Sequence, residues 1–445
     1  MLKREYDHVI IGKSYISLLK GLGELQRGKS VLIVDDERFQ LGDKWIYNIG
    51  DLEKRLIHFY INSYGVDNAI ELDNYLTKTN TMLYLNDKMI ELSSSPFANI
   101  REFARKLPEC FSSEFIDSLS TIDSENFNKE IDLFFNRIID YSLLRSNTDL
   151  LNFFIPENKN IEKIMSTFLS YLDNDSLKNK QLQYILQALF QTFFSNKISE
   201  VESRYLLCSI LGTRYKVDRI SLESQLLFEF KTRGGHIKST KVINWEFYDQ
   251  RLEYILLDSY EGLIRANLFS LLGHLNAELP FQYPTKNLLY KSLKLNCNID
   301  HDFTSLFKNK RIVFCESDKI GTDFPHFEVF LKDNDEINVL FSYADHEGTK
   351  PKFYFDKASN DVYKSLNQIF PGLLQKDWNS QIQAKPSHNI WLENINTKST
   401  NKQAKLYSDQ GRLCTIEGKP VKALYYEGPL RSRYLGIFGY LINVL

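Results

Sequence analysis

The residues with the clearest chemical meaning lie near the start of the chain. His8-Val-Ile-Ile11 is a short apolar run, Gly12 ends it, and Gly12-Lys-Ser14-Tyr-Ile-Ser17 follows. A glycine turn that opens a helix presents backbone N–H groups to an anion, and an acidic residue about 20 positions on can hydrogen-bond a ribose hydroxyl. Asp35 stands at a suitable distance from Gly12. The chemistry on offer is binding of a dinucleotide, its pyrophosphate at the helix N-terminus. The glycines depart from the G-x-G-x-x-G pattern, because serine fills the second and third positions. Ser14 places a Cβ where a pyrophosphate would touch the backbone, whereas Ser17 is small enough for close helix–strand packing.

Those residues need a strand, a turn, a helix and a second strand to position them. His8 to Ile11 suits a strand buried on both faces. Tyr15, Leu18, Leu19, Leu22 and Leu25 recur at helical spacing, and Gly28 stops the helix. Val31-Leu-Ile-Val34 is a second strand ending in Asp35-Asp36. A related pattern covers residues 212–273. Ser221 to Phe230 is amphipathic at helical period and Gly234-Gly235 ends it. His236 to Trp245 reads as a strand, Leu252 to Leu257 as its hairpin partner, and Leu263 to Ser270 as a returning strand. Near the C-terminus, Ala423 to Tyr426 reads as a strand. Arg433 to Ile442 is an apolar helix belonging to the core, with Gly436 and Gly439 as close-packing points.

Composition narrows the function class. The chain has 445 residues, 43% hydrophobic and 25% charged, with a formal net charge of −2. That balance fits a globular protein and lacks the basic footprint of a nucleic-acid binder. No run reaches the ~18 apolar residues of a membrane span, and the start, running straight into a strand, reads as no signal peptide. Five scattered cysteines (Cys110, Cys208, Cys297, Cys315, Cys414) show no C-x-x-C spacing, so a reducing cytoplasm without disulfide framework or zinc site is expected. The 20 glycines fall below the usual ~7%, and part of the shortage lies at the turns just described.

Taken together, Tyr6 to Gly12, Val34-Asp35, Arg233 to Val242, Gly262 to Ser270 and Glu427 to Gly439 resemble the flavin-dependent amine oxidase and phytoene desaturase superfamily. The resemblance implies an α/β fold: an FAD-type Rossmann domain assembled from discontinuous segments, with an inserted substrate domain of antiparallel strands and a helical insertion. The Rossmann segments would be 1–75, 212–275 and 415–445, the helical substrate or lid insertion 76–211, and the substrate-domain sheet 276–414. Position by position, Gly12, Ser14 and Ser17 would face the pyrophosphate of FAD and Asp35 the adenosine ribose. Val242 would offer its backbone to adenine. Glu427 would stand near the ribityl chain, with Gly436 at the flavin-side helix. Departures accompany the matches. Asp36 to Lys44 carries one glycine, Gly42, where a G-G-R turn is usual; Tyr215 to Ile220 lacks a G-G pair, with Asp218 in its place; and Glu427-Gly-Pro429 replaces Gly-Asp.

Elsewhere the bland readings prevail. Ile131, Phe134, Phe135, Ile138 and Ile139 form one helical stripe, Ile164, Met165, Phe168 and Leu172 a second, and Leu182, Leu186, Leu189 and Phe193 a third. Such stripes are usually packing; in the resembled superfamily this region covers the substrate site, which implies an apolar tunnel as the functional reading. Lys310 to Cys315, Phe327 to Leu331 and Ile337 to Ser342 read as strands. Asp300-His-Asp302 lacks a partner group for a metal, and Asp345-His-Glu-Gly348 reads as a turn. Lys44 could line the cofactor site, while Trp45 beside it is expected to be buried. No hydrolase elbow, zinc-protease or P-loop motif occurs, and no residue stands out as catalytic.

Two functions follow from the resemblance. One is a flavin-dependent oxidoreductase transferring a hydride from an apolar or amine-type substrate to FAD. The other is a cofactor-free or non-catalytic member of the fold that binds a lipid-like or protein partner, as Rab escort and GDP-dissociation-inhibitor proteins do.

Overall fold

The opening pattern folds as β1 (Glu5–Ile11), α1 (Tyr15–Gln26) and β2 (Val31–Asp35). In this computed structural model the described residues are 5–39, 48–85, 88–143, 154–172, 200–258, 262–272, 290–298, 304–315, 326–333, 336–344, 360, 363–373, 383–387, 412–414, 419–427, 438–439 and 441–442. β1 and β2 pair in parallel, His8 opposite Val31 and Ile11 opposite Val34. Val9, Ile10, Ile11, Leu32, Ile33 and Val34 are all buried, as strands covered on both faces must be.

β3 (Asn48–Gly50) and α2 (Asp51–Ser63) come next, then the hairpin β4 (Leu76–Leu85) and β5 (Lys88–Leu92). The helical insertion comprises α3 (Pro96–Lys106), α4 (Ser113–Leu119), α5 (Ser124–Leu143), α6 (Lys159–Leu172) and α7 (Glu200–Leu211). β6 (Arg214–Val217) leads into α8 (Arg219–Thr232), capped by the side chain of Asp218. Then come β7 (His236–Ser239), β8 (Val242–Tyr248), β9 (Arg251–Leu257) and β10 (Leu263–Leu271). Beyond them are β11 (Tyr290–Asn298), the single turn α9 (Thr304–Phe307), β12 (Lys310–Cys315), β13 (His326–Asp333) and β14 (Glu336–Ala344). β15 (Gln383–Ser387), β16 (Arg412–Cys414) and β17 (Pro420–Tyr426) complete the strands described.

Two sheets result. In the first, β17, β10, β1, β2 and β7 run parallel side by side. β8 and β9 form an antiparallel meander leading into β10, and β16 pairs antiparallel with β17. The second sheet has the order β15-β11-β14-β13-β12-β4-β6-β3, with β5 beside β4. Its β11 to β14 hairpins are antiparallel, while β12 meets β4 in parallel. β3 and β6, flanking the helical insertion in sequence, pair with each other here.

The strand expected over 236–245 is two strands. Thr240 donates its N–H to the Asp35 carbonyl, closing the β2–β7 pairing, and at Val242 the chain turns into the antiparallel pair with β9. The aromatic stripes are packing. Ile131, Phe134, Phe135, Ile138 and Ile139 are buried on α5, and the Phe168 ring meets Phe103, Phe111 and Phe115 at centroid distances of 6.3, 5.0 and 6.5 Å. The Leu172 side chain, the 182–193 stripe, the 300–302 and 345–348 clusters and Trp45 lie outside the described residues. Among those described, no helix is long and apolar enough to cross a membrane.

α1 lies against the sheet and against α8. Phe230 of α8 is fully buried between two glycines: a Cβ on Gly21 would come within 2.7 Å of its ring, and one on Gly235 within 2.4 Å. Glycine is needed at both places so that the ring can fill the gap. A second lock is polar. His8 of β1, 1% exposed, places Nε2 2.8 Å from the Ser270 hydroxyl of β10 and Nδ1 3.5 Å from Glu24 of α1. Glu24 also receives Arg27 and Lys29 at 2.7 and 2.5 Å. Burial pushes the His8 pKa below its ordinary value, against the opposing pull of Glu24. Burial would raise the Glu24 pKa, but contacts with His8 and Lys29 outweigh it and hold the carboxyl well below the usual range.

Two outcomes follow. Phe230→Ala should destabilise the fold by about 3–5 kcal/mol in urea unfolding, the range for truncating a buried phenylalanine; a loss under about 1 kcal/mol would show that the ring is not wedged. Both shifted groups make the unfolded state bind protons first on acidification, His8 below pH ~6.5 and Glu24 below ~4.3. Stability should therefore fall as pH drops through each value. His8→Asn should flatten the upper limb and Glu24→Gln the lower one. Wild-type stability that rises between pH ~7 and ~5 would refute the neutral, buried His8.

Candidate functional site at the first helix terminus

Gly12 ends β1 at φ +103°, a conformation that L side chains rarely adopt, and its N–H donates to the Val34 carbonyl. The chain then enters α1 through a capping box. Ser14 Oγ accepts from the Ser17 N–H at 3.2 Å, and Ser17 Oγ accepts from the Ser14 N–H at 2.7 Å. The Ser17 hydroxyl donates back to the Ser14 carbonyl at 2.8 Å. Both serines are buried. Each of these residues, expected to face a pyrophosphate, thus satisfies the other.

The next donor is also met from within the chain. The Tyr15 N–H donates to Glu223 Oε1 at 3.1 Å, and the same oxygen accepts from Arg219 Nε at 2.8 Å. A carboxylate from α8 therefore sits where the exposed N–H groups and dipole of α1 favour negative charge. The Tyr15 side chain is fully buried, and its hydroxyl has no hydrogen-bond partner among the described residues. Burial first, then the carboxylates of Glu53 and Glu223, push its pKa well up. Glu53 is itself buried, accepting from the Gly50 N–H at 2.9 Å and the Tyr205 hydroxyl at 2.6 Å. The Tyr205 ring stacks on Phe438.

The two aspartates at the end of β2 have different surroundings. Asp35 faces Lys13 at 3.7 Å and accepts from the Ser239 hydroxyl at 3.2 Å. Asp36 is fully buried and takes Arg38 Nε and Nη2 at 2.9 and 2.5 Å. Its Oδ2 accepts from the Val242 N–H at 2.9 Å, while Arg38 Nη2 donates to the Val242 carbonyl at 2.6 Å. Burial would raise the Asp36 pKa; the bonds from Arg38 and Val242 prevail and lower it. Both backbone groups of Val242, expected to address adenine, are thus taken by an internal ion pair. Glu427, just after β17, binds Lys20 of α1 at 2.6 Å. Lys44 and Gly436 lie outside the described residues.

The structure brings Gly12, Ser14 and Ser17 together at one helix end, with Asp35 at the adjacent strand end. Sequence reasoning passed over Glu223, Arg219, Asp36, Arg38 and Lys20. Arg219 and Glu223 do stand four apart on one helix face, but nothing in that spacing points to Tyr15, 208 positions away. The arrangement tests an FAD diphosphate directly. A diphosphate at this helix end would meet the Glu223 carboxylate, which already holds the Tyr15 N–H and is itself held by Arg219. The Ser14, Tyr15 and Ser17 N–H groups are already paired. Among the described residues, the N–H groups of Ser14, Tyr15 and Ser17 and both backbone groups of Val242 are engaged from within the chain, and in that arrangement they do not fit FAD.

No family model and no curated protein matches the chain. Solved structures do. An oxidoreductase from Methanosarcina mazei is 13% identical, with 98% of each chain covered and a TM-score of 0.52. The Rab GDI of Plasmodium falciparum is 9% identical over 96% of this chain and 93% of that one, at a TM-score of 0.48. A peptidyl tryptophan dihydroxylase is 9% identical over 86% of this chain at a TM-score of 0.40, and the chain spans only 56% of that enzyme's length. At 13% identity, the likeness to the Methanosarcina mazei protein is likeness of fold. The chain is an α/β protein built on the FAD-type Rossmann fold.

Proposed function

We propose that the chain is a cofactor-free member of this fold that works by binding a lipid-like or protein partner. The observation that carries the reading is the Asp36–Arg38 pair closed on Val242: Asp36 is fully buried, and both backbone groups of Val242 point at it and its arginine. Asp36 does not give up this partner freely, because losing the half-exposed Arg38 would strand a carboxylate in the interior. α8 also exposes Ile220 (79%) and Phe228 (62%).

The alternative, a flavin-dependent oxidoreductase taking hydride from an apolar or amine-type substrate onto FAD, draws support from Gly12 at φ +103° and Asp35 at the strand end. The two readings part on colour. Purified protein should lack flavin absorbance and stay colourless after incubation with FAD and desalting. Stoichiometric flavin retained on the folded protein would overturn the cofactor-free reading.

A further inference from the structure

The N-terminus of a helix gathers negative charge, and at α1 that charge is already supplied by the protein. We propose that Glu223 is a resident anion: its carboxylate takes the place of a ligand diphosphate and is the residue that excludes one. The proposal deepens the cofactor-free reading and rests on it.

Three observations converge on Glu223. Its Oε1 is the acceptor for the Tyr15 N–H at 3.1 Å, in the first turn of α1. Arg219, one turn earlier on α8, fixes the carboxylate at 2.8 Å, and the two side chains are only 19% and 12% exposed. The Tyr15 hydroxyl adds an independent sign. It is fully buried, lacks a partner among the described residues, and feels Glu53, Glu223 and Arg219 together. A buried phenol without an acceptor calls for an explanation. The Glu53 and Glu223 carboxylates give it a negative surrounding, in which a further anion is opposed. Elsewhere along this first turn, Ser14 and Ser17 close on each other, which leaves Glu223 as the removable element.

The experiment compares wild type, Glu223→Ala and Glu223→Gln, each checked for fold by circular dichroism, using inorganic pyrophosphate as the probe and sodium chloride at matched ionic strength as the control. Glu223→Ala should melt below wild type, and pyrophosphate should raise its Tm while leaving wild type unmoved, because only the variant offers a site. Calorimetry should give at least about tenfold tighter pyrophosphate binding to Glu223→Ala than to wild type. Glu223→Gln, which keeps an acceptor without the charge, should fall between. Folded Glu223→Ala that takes pyrophosphate no better than wild type would overturn the proposal. If the alanine variant does not fold, Glu223→Gln decides alone: tighter binding than wild type supports the role of Glu223, and no gain refutes it. Flavin uptake by wild type would sink the cofactor-free reading; a flavin-free wild type with indifferent Glu223 variants would sink only this inference.

Discussion

A helix that starts at the carboxyl end of a buried parallel strand leaves its first amide N–H groups without partners inside the helix. How those donors of α1 are met governs this end of the molecule. In a dinucleotide-binding protein the ligand can meet them. Here the serine pair takes two and Glu223 a third. The choice of acceptor ties α1 to α8, and Phe230, set between Gly21 and Gly235, packs the same two helices together from below. Polar closure and apolar packing thus reinforce one another across one interface.

The same substitution of protein for ligand recurs at the strand end. Asp35 and Asp36 are neighbours in sequence, yet Asp35 ends β2 while Asp36 lies just beyond it, where the chain leaves the strand and turns toward Arg38. Asp35 remains accessible beside Lys13 and Ser239; Asp36 turns inward and, with Arg38, fastens β2 to the first residue of β8. The β8–β9 meander is therefore held to the parallel sheet by charge-assisted bonds as well as by its hydrophobic face, where Val242 and Trp245 are buried.

Much of the scaffold was legible because it rests on local pattern. The apolar runs of β1 and β2, the spacing of Leu18, Leu19 and Leu22, and the glycines at 12 and 28 each follow from short-range rules. The break between β7 and β8 was not legible, since Ile237 to Trp245 keeps a strand-like composition throughout and only the bonds of Thr240 and Val242 to β2 reveal the turn. The serines at 14 and 17 could be read as departures from a glycine pattern; that they cap each other follows from their spacing of three. Glu223 and Lys20 could not be read. Each is an ordinary charged residue on a helix, and its meaning comes from a partner brought close only by the fold, Tyr15 for one and Glu427 for the other.

The order of the parallel strands carries a consequence for how the chain is made. β1 lies between β2 and β10, and β10 in turn lies between β1 and β17. Leaving a ribosome, β1 finds one neighbour at once, but its other side stays open until the helical insertion and the meander have been synthesised. The Leu263–Arg265 end of β10 pairs at once with β9, while its Phe269–Leu271 end waits for β17. Pairings this distant in sequence form slowly, and unpaired strands invite association with other chains. His8 is buried in the middle of β1, with polar contacts to α1 on one side and Ser270 of β10 on the other. In the nascent chain that histidine faces water, and the arrival of β10 is the event that seals it.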